Sequence, residues 1–132
     1  MLKLLKNNMQ YDNNNIFAKI LRKELPANII YEDDIVIAFP DINPIAETHI
    51  LVIPKKPYIS YTDFVQQASS EDVVAFFKSL DIIAQQFLGE NASYKLLTNN
   101  GSSAGQIIFH FHCHIIAGKI KGNPFAKLQA AD

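Results

Sequence analysis

From Asn15 onward the apolar positions Ile16, Phe17, Ile20 and Leu21 recur at helical spacing, and the pattern stops at Leu25-Pro26 because the residue before proline resists the α conformation. A short helix is predicted there. The runs Ile29–Tyr31 and Ile35–Phe39 are rich in β-branched and aromatic residues and flank the acidic turn Glu32-Asp33-Asp34, which predicts a hairpin. Pro40-Asp41-Ile42-Asn43-Pro44 breaks the chain, and His49–Ile53 reads as a third strand ending at Pro54. After a loop, Ser69 or Ser70 is a suitable N-cap for a helix whose first turn carries Glu71 and Asp72, favourable at the positive end of the helix dipole. Val73, Phe76, Phe77, Leu80, Ile83, Ala84 and Phe87 make one apolar face of that helix, and Gly89 is its expected stop. Tyr94–Thr98 reads as a fourth strand, residues 99–105 as a loop, and Gln106–Ile116 as a long fifth strand. Together these elements predict an α+β architecture: an antiparallel sheet of about five strands, with one long helix covering one face and one short helix.

Composition narrows this picture. At 132 residues the chain is expected to hold one domain, and 48% hydrophobic against 19% charged residues is enough to bury a core. Residues 1–14 show little periodic hydrophobicity and read as a mobile N-terminal tail, with the domain over 15–118 and a C-terminal segment over 119–132. Twelve basic residues against thirteen acidic ones give a net charge of −1, so no positive field draws in a polyanion, and nucleic acid is not an expected partner. The longest apolar runs, near Ile35–Pro40 and Ile50–Pro54, fall well short of the roughly 18 residues of a membrane span. Met1–Leu5 is too short for a secretion signal, and a cytoplasmic location is expected. The lone Cys113 excludes an intrachain disulfide and a cysteine-rich zinc site.

Three of the four histidines fall in His110-Phe-His112-Cys-His114-Ile-Ile116. On a strand, spacing of two puts all three on one face, leaving Phe109, Phe111, Cys113 and Ile115 to pack beneath the long helix. Metal binding is one reading of such a row. At roughly 3.3 Å per residue its first and third members lie about 13 Å apart, too far for one zinc with bonds near 2 Å, so at most two of them would ligate it, with His49 as a third. The other reading is covalent catalysis, with His112 as nucleophile and His114 as acid. Imidazole titrates near pH 6.5, so one ring is neutral and attacking while its neighbour is protonated and donating. Histidine nucleophiles suit phosphorus, where a nucleotidyl-histidine divides one displacement into two.

The row His-Phe-His-Cys-His-Ile-Ile resembles the signature of the histidine triad family, in which three histidines alternate with apolar residues. The likeness runs from Ile16 to Gly118 and includes I-F-A-K-I-L-R-K-E-L-P-A, Y-E-D-D, A-F-P-D-I, T-H-I-L-V-I-P-K-K and N-N-G-S-S-A-G-Q. Within the family it is most similar to the nucleotide-binding branch, which hydrolyses nucleoside phosphoramidates and releases AMP from an amine. That resemblance implies that His112 attacks the α-phosphorus, held in one tautomer by the backbone carbonyl of His110, that His114 serves the leaving group, and that His49 supports the row. It implies further that Asp41 binds the ribose hydroxyls, that Phe17, Ile20, Phe39 and Ile42 line the base pocket, and that Asn99, Gly105 and Gln106 contact phosphate. An ionised Asp41 suits that task, since a carboxylate accepts from two hydroxyls at once. The loop lacks the ending of a P-loop, but its glycines suit a nest of backbone N–H groups for phosphate.

The resemblance also implies a homodimer joining two sheets and a purine nucleotide as ligand, and it calls for no cofactor and no metal. Dinucleoside polyphosphate hydrolases of the family have glutamine in place of the third histidine, so His114 argues against that alternative. A nucleotide-binding or interaction module with incidental hydrolysis is the other. Two departures stand out. Ile107 occupies a position where the branch often has serine near the phosphate and leaving group, and Lys119–Asp132 lacks the Trp-Pro-Pro ending of some members.

Overall fold

The computed structural model describes residues 9–121; of the expected tail over 1–14, residues 1–8 lie outside the described residues, as do residues 122–132 of the C-terminal segment. In chain order the elements are α1 (Ile16–Leu21), β1 (Tyr31–Glu32), β2 (Val36–Pro40), β3 (Ala46–Pro54), α2 (Tyr61–Gln67), α3 (Ser70–Leu88), β4 (Lys95–Leu97) and β5 (Cys113–Ile120). The strands form one antiparallel sheet in the order β1-β2-β3-β5-β4. The predicted hairpin is β1–β2, with Tyr31 opposite Ala38. Asp33 closes its turn, one carboxylate oxygen accepting from the amides of Ile35 and Val36.

One face of the sheet presents Val36, Ala38, Ile50, Val52, Cys113 and Ile115 to Phe76, Leu80 and Ile83 of α3 and to Phe64 of α2. Phe64 stacks on Phe111 with ring centroids 4.7 Å apart. Each such buried side chain contributes roughly 1.5–3 kcal/mol, so this layer carries most of the hydrophobic stabilisation. The residues of opposite parity in β2 and β3 are apolar as well: Ile37, Phe39, Leu51 and Ile53 pack with Phe17 of α1. The sheet is therefore covered on both faces at this end, not on one.

The ends of α3 follow their local signals. Ser69 is the N-cap, its hydroxyl accepting from Asp72 N–H, and Gly89 stands at the C-cap with φ +92°. Its buried face is narrower than predicted, since Phe77 and Phe87 stay 41% and 40% exposed. Helix α2 was expected to be loop. With seven residues capped by Ser60 it is too short to show a periodic pattern, and Phe64 is its one buried residue.

The largest difference concerns the fifth strand, which begins at Cys113 and not at Gln106, and runs on to Ile120. The ladder with β3 starts at Val52 opposite Cys113. Beyond it the backbone hydrogen bonds go elsewhere: Phe111 N–H donates to the Tyr58 carbonyl, and the Pro54 carbonyl accepts from the His110 ring. Residues 106–112 thus run without a ladder toward the strand.

Candidate active site

Alternation outlasts the ladder. Phe111, Cys113 and Ile115 enter the core under α3, whereas His110, His112 and His114 lie on the opposite side, beside Phe17 and Leu51. The histidine row is buried, as is His49 on β3. Phe109 departs from the predicted pattern: it lines a groove of about 430 Å³ with Met9, Ile59, Asp63, Gly101 and Gln106.

Because carbonyls only accept and backbone amides only donate, the network assigns the tautomers. His112 Nδ1 lies 2.6 Å from the carbonyl of His110 and therefore carries a proton, so the lone pair of the neutral ring is on Nε2. The His112 carbonyl in turn accepts from the Thr98 hydroxyl at 2.7 Å. His110 donates from Nε2 to the Pro54 carbonyl at 2.8 Å, so its Nδ1 holds a lone pair, and the Tyr11 hydroxyl donates to it at 2.6 Å. The Ile45 amide donates to His49 Nδ1 at 3.2 Å, which leaves the proton of a neutral His49 on Nε2. That proton is given to His114 Nδ1 at 2.8 Å, and His114 consequently presents N–H at Nε2.

Burial favours the neutral form of His110, His114 and His49. Desolvation, opposed by the Pro54 carbonyl and aided by His112, pushes the pKa of His110 down to about 4. Desolvation followed by the repulsion of His112 and His49 pushes His114 down to about 3. Burial also lowers His49, against the pull of Asp41. In the unliganded protein His114 is thus not the charged partner expected from an ordinary imidazole. It is a neutral donor by tautomer. Burial raises the Cys113 thiol to about 12, in keeping with a core side chain and not a nucleophile.

Asp41 follows β2, where one carboxylate oxygen accepts from Asn43 N–H and the other lies 3.4 Å from His49 Nε2. Asp41, His49 and His114 offer three donor atoms within 4.8 Å of one another, the composition of a metal site. Their hydrogen bonds do not fit one. The Ile45 amide keeps the proton on His49 Nε2, the atom that would ligate, and two nitrogens on a tetrahedral zinc sit about 3.3 Å apart, wider than the 2.8 Å found here.

Of the apolar positions assigned to the base pocket, Phe17 and Phe39 are buried and meet edge to face at 5.6 Å, Ile20 packs against them, and Ile42 is 91% exposed. Phe17 and His112 also meet edge to face, with centroids 5.0 Å apart. In the loop, Asn99 is half-buried and Gly105 takes the left-handed conformation, φ +101°. Gln106 is committed to the scaffold: its amide group donates to the carbonyls of Ile59 and Ile108 and accepts from Gly101 N–H. Ile107 is 72% exposed. Tyr11, Ile45 and Thr98 escaped the sequence reading. Only Tyr11 carried a signal, as an aromatic residue within an otherwise polar stretch.

A five-stranded antiparallel sheet with buried, mutually hydrogen-bonded histidines at the start of its fourth position defines a histidine-triad type of site. The HIT domain family matches residues 22–121, and the chain belongs to that family. A HIT-like protein of Rickettsia prowazekii is 52% identical over 109 residues, covering 83% of this chain and 91% of its own. A histidine triad protein from Clostridium difficile has the same fold at a TM-score of 0.73 and 39% identity, over 87% of this chain and 98% of that one. A HIT family hydrolase from Clostridium thermocellum aligns at a TM-score of 0.71 and 36% identity, over 85% and 96%. Among the described residues no helix is long and apolar enough to cross a membrane.

Proposed function

We propose that this protein binds a purine nucleotide and hydrolyses nucleoside phosphoramidates through a nucleotidyl-His112 intermediate. The observation that carries the reading is the 2.6 Å bond from His112 Nδ1–H to the His110 carbonyl, which puts the ring's lone pair on Nε2. In the first step Nε2 forms a bond to the α-phosphorus while the P–N bond breaks, its electron pair leaving with the amine nitrogen. His114 Nε2–H supplies the proton to that nitrogen. The anionic phosphoryl group opposes the causes of the low His114 pKa and favours its charged form as substrate binds; the second proton, taken from solvent, goes to Nδ1, and the bond from His49 Nε2–H gives way. In the second step water cleaves the N–P bond and gives its proton back to His114, releasing the nucleotide and restoring the enzyme.

Asp41 accepts from the ribose hydroxyls in this reading, and Phe17, Ile20, Phe39 and Ile42 hold the base, with Asn99, Gly105, Gln106 and Ile107 on the phosphate side. The edge strand β4, with Leu96 half-exposed, suits the sheet-to-sheet homodimer that belongs to the same reading, in a cytoplasmic protein. Turnover of adenosine 5′-phosphoramidate, measured beside AMP affinity and after exhaustive chelation, tests the proposal. Multiple turnovers that survive EDTA are expected. Tight AMP binding with negligible turnover would leave a nucleotide-binding module, and activity lost to EDTA and restored by zinc would return the Asp41, His49 and His114 cluster to a metal role.

A further inference from the structure

Tyr11 stands before α1 and before the segment that the family matches, yet its hydroxyl ends on the histidine row, 2.6 Å from His110 Nδ1. The two rings also meet near edge-on, with centroids 5.6 Å apart. The residues that carry Tyr11 are fastened to α1. The Asp12 carbonyl accepts from both the amide and the side chain of Asn15, Asn15 caps the helix at Ala18 N–H, and Arg22 donates to the Asn13 carbonyl.

The direction of the Tyr11 bond is fixed. Pro54 offers His110 Nε2 only a carbonyl oxygen, so the ring proton is on Nε2 and the buried lone pair on Nδ1 needs a donor. Burial raises the Tyr11 phenol above its ordinary value, so it stays protonated and donating. In the other tautomer, lone pairs of His110 Nε2 and of the Pro54 carbonyl would face each other at 2.8 Å, and residue 110 would have to move. Its own carbonyl is the group that orients His112. Residues 110–112 precede the ladder, so side-chain bonds of this kind do for them what strand pairing does for His114.

We infer that Tyr11 is a positioning residue, whose hydroxyl anchors the His110 ring at Nδ1, in the Nε2–H tautomer that the Pro54 carbonyl selects, and so fixes the carbonyl that aims His112. The inference rests on the reading of His112 as nucleophile, and its test separates the two. In Tyr11→Phe the ring and its packing are kept and only the donor is lost. Long-range proton–nitrogen spectra of the labelled full chain read the tautomers directly, without substrate. The wild type is expected to show His110 protonated at Nε2 alone, and the variant to keep that tautomer with its Nδ1 signal moved by the lost donor and with a displaced His112 Nδ1–H signal. The expected effect is about a tenfold fall in kcat, which corresponds to about 1.4 kcal/mol, with KM nearly unchanged and the melting temperature lowered by a few degrees for the unmet Nδ1 lone pair. An unmoved His112 Nδ1–H signal in the variant overturns the inference, and so does an undiminished kcat. If the wild type turns over no phosphoramidate, the reaction reading fails, and the His112 signal alone then decides whether Tyr11 positions the ring.

Discussion

The amide of Ile45 donates to His49 Nδ1, and because an amide cannot accept, each ring that follows in the chain is assigned: His49 donates to His114, and His114 carries its proton on Nε2. A hydrogen-bond donor is thereby built without a charge in the unliganded protein, in a place where a charge would be costly. Ile107 is the residue at which this chain parts from the branch it resembles. With 72% of its surface exposed, it does not serve the core, so a hydroxyl there would not be buried unsatisfied. Ile107→Ser is expected to raise kcat several-fold with little change in KM, since a neutral hydrogen bond contributes about 0.5–1.5 kcal/mol and acts on rate only if made in the transition state. The gain should be larger for poor amine leaving groups. Steady-state kinetics and a thermal melt, taken together, check this: a lower midpoint without a gain in kcat would mark Ile107 as a packing residue.

Elements with complete local signals were legible. α3 carries its N-cap Ser69, its acidic first turn and its terminal Gly89, and the β1–β2 hairpin carries Asp33 in its turn. β5 misled because its alternation is a property of extended backbone, whereas a strand also needs a partner. The apolar and histidine positions keep period two from Phe111 to Ile115, but β3 supplies its ladder only from Cys113. α2 was hidden by its length, and the second covered face by the fact that β2 and β3 are apolar at both parities, which periodicity alone does not resolve. The histidine row itself was legible from spacing. What sets its chemistry was not: the Pro54 carbonyl, the Ile45 amide and the Tyr11 hydroxyl reach the rings across 56, 4 and 99 positions of sequence. Two of the three are backbone groups, which every residue type carries, so no residue identity announces them.

For the molecule as a whole, a site of buried neutral imidazoles makes folding sensitive to acid. His110 and His114 take up protons in the unfolded chain near pH 6.5, but in the folded protein only near 4 and 3. Between those limits the unfolded state binds more protons, so stability is full above about pH 6.5 and falls as pH drops, by about 1.4 kcal/mol per pH unit for each ring. Urea unfolding of the unliganded protein at pH 7, 6 and 5 should show this decline, and His114→Gln should make it shallower. A stability that stays level from pH 7 to 5 would contradict the burial of neutral rings. The whole reading depends on the lone pair of His112 Nε2, which the Nδ1–H bond to the His110 carbonyl assigns. The most direct test is mass spectrometry of reactions quenched during turnover of adenosine 5′-phosphoramidate. The wild type is predicted to carry a nucleotidyl adduct on the peptide containing His112, and His112→Asn to bind AMP yet carry none, whereas an adduct persisting in that variant would contradict the assignment of the nucleophile.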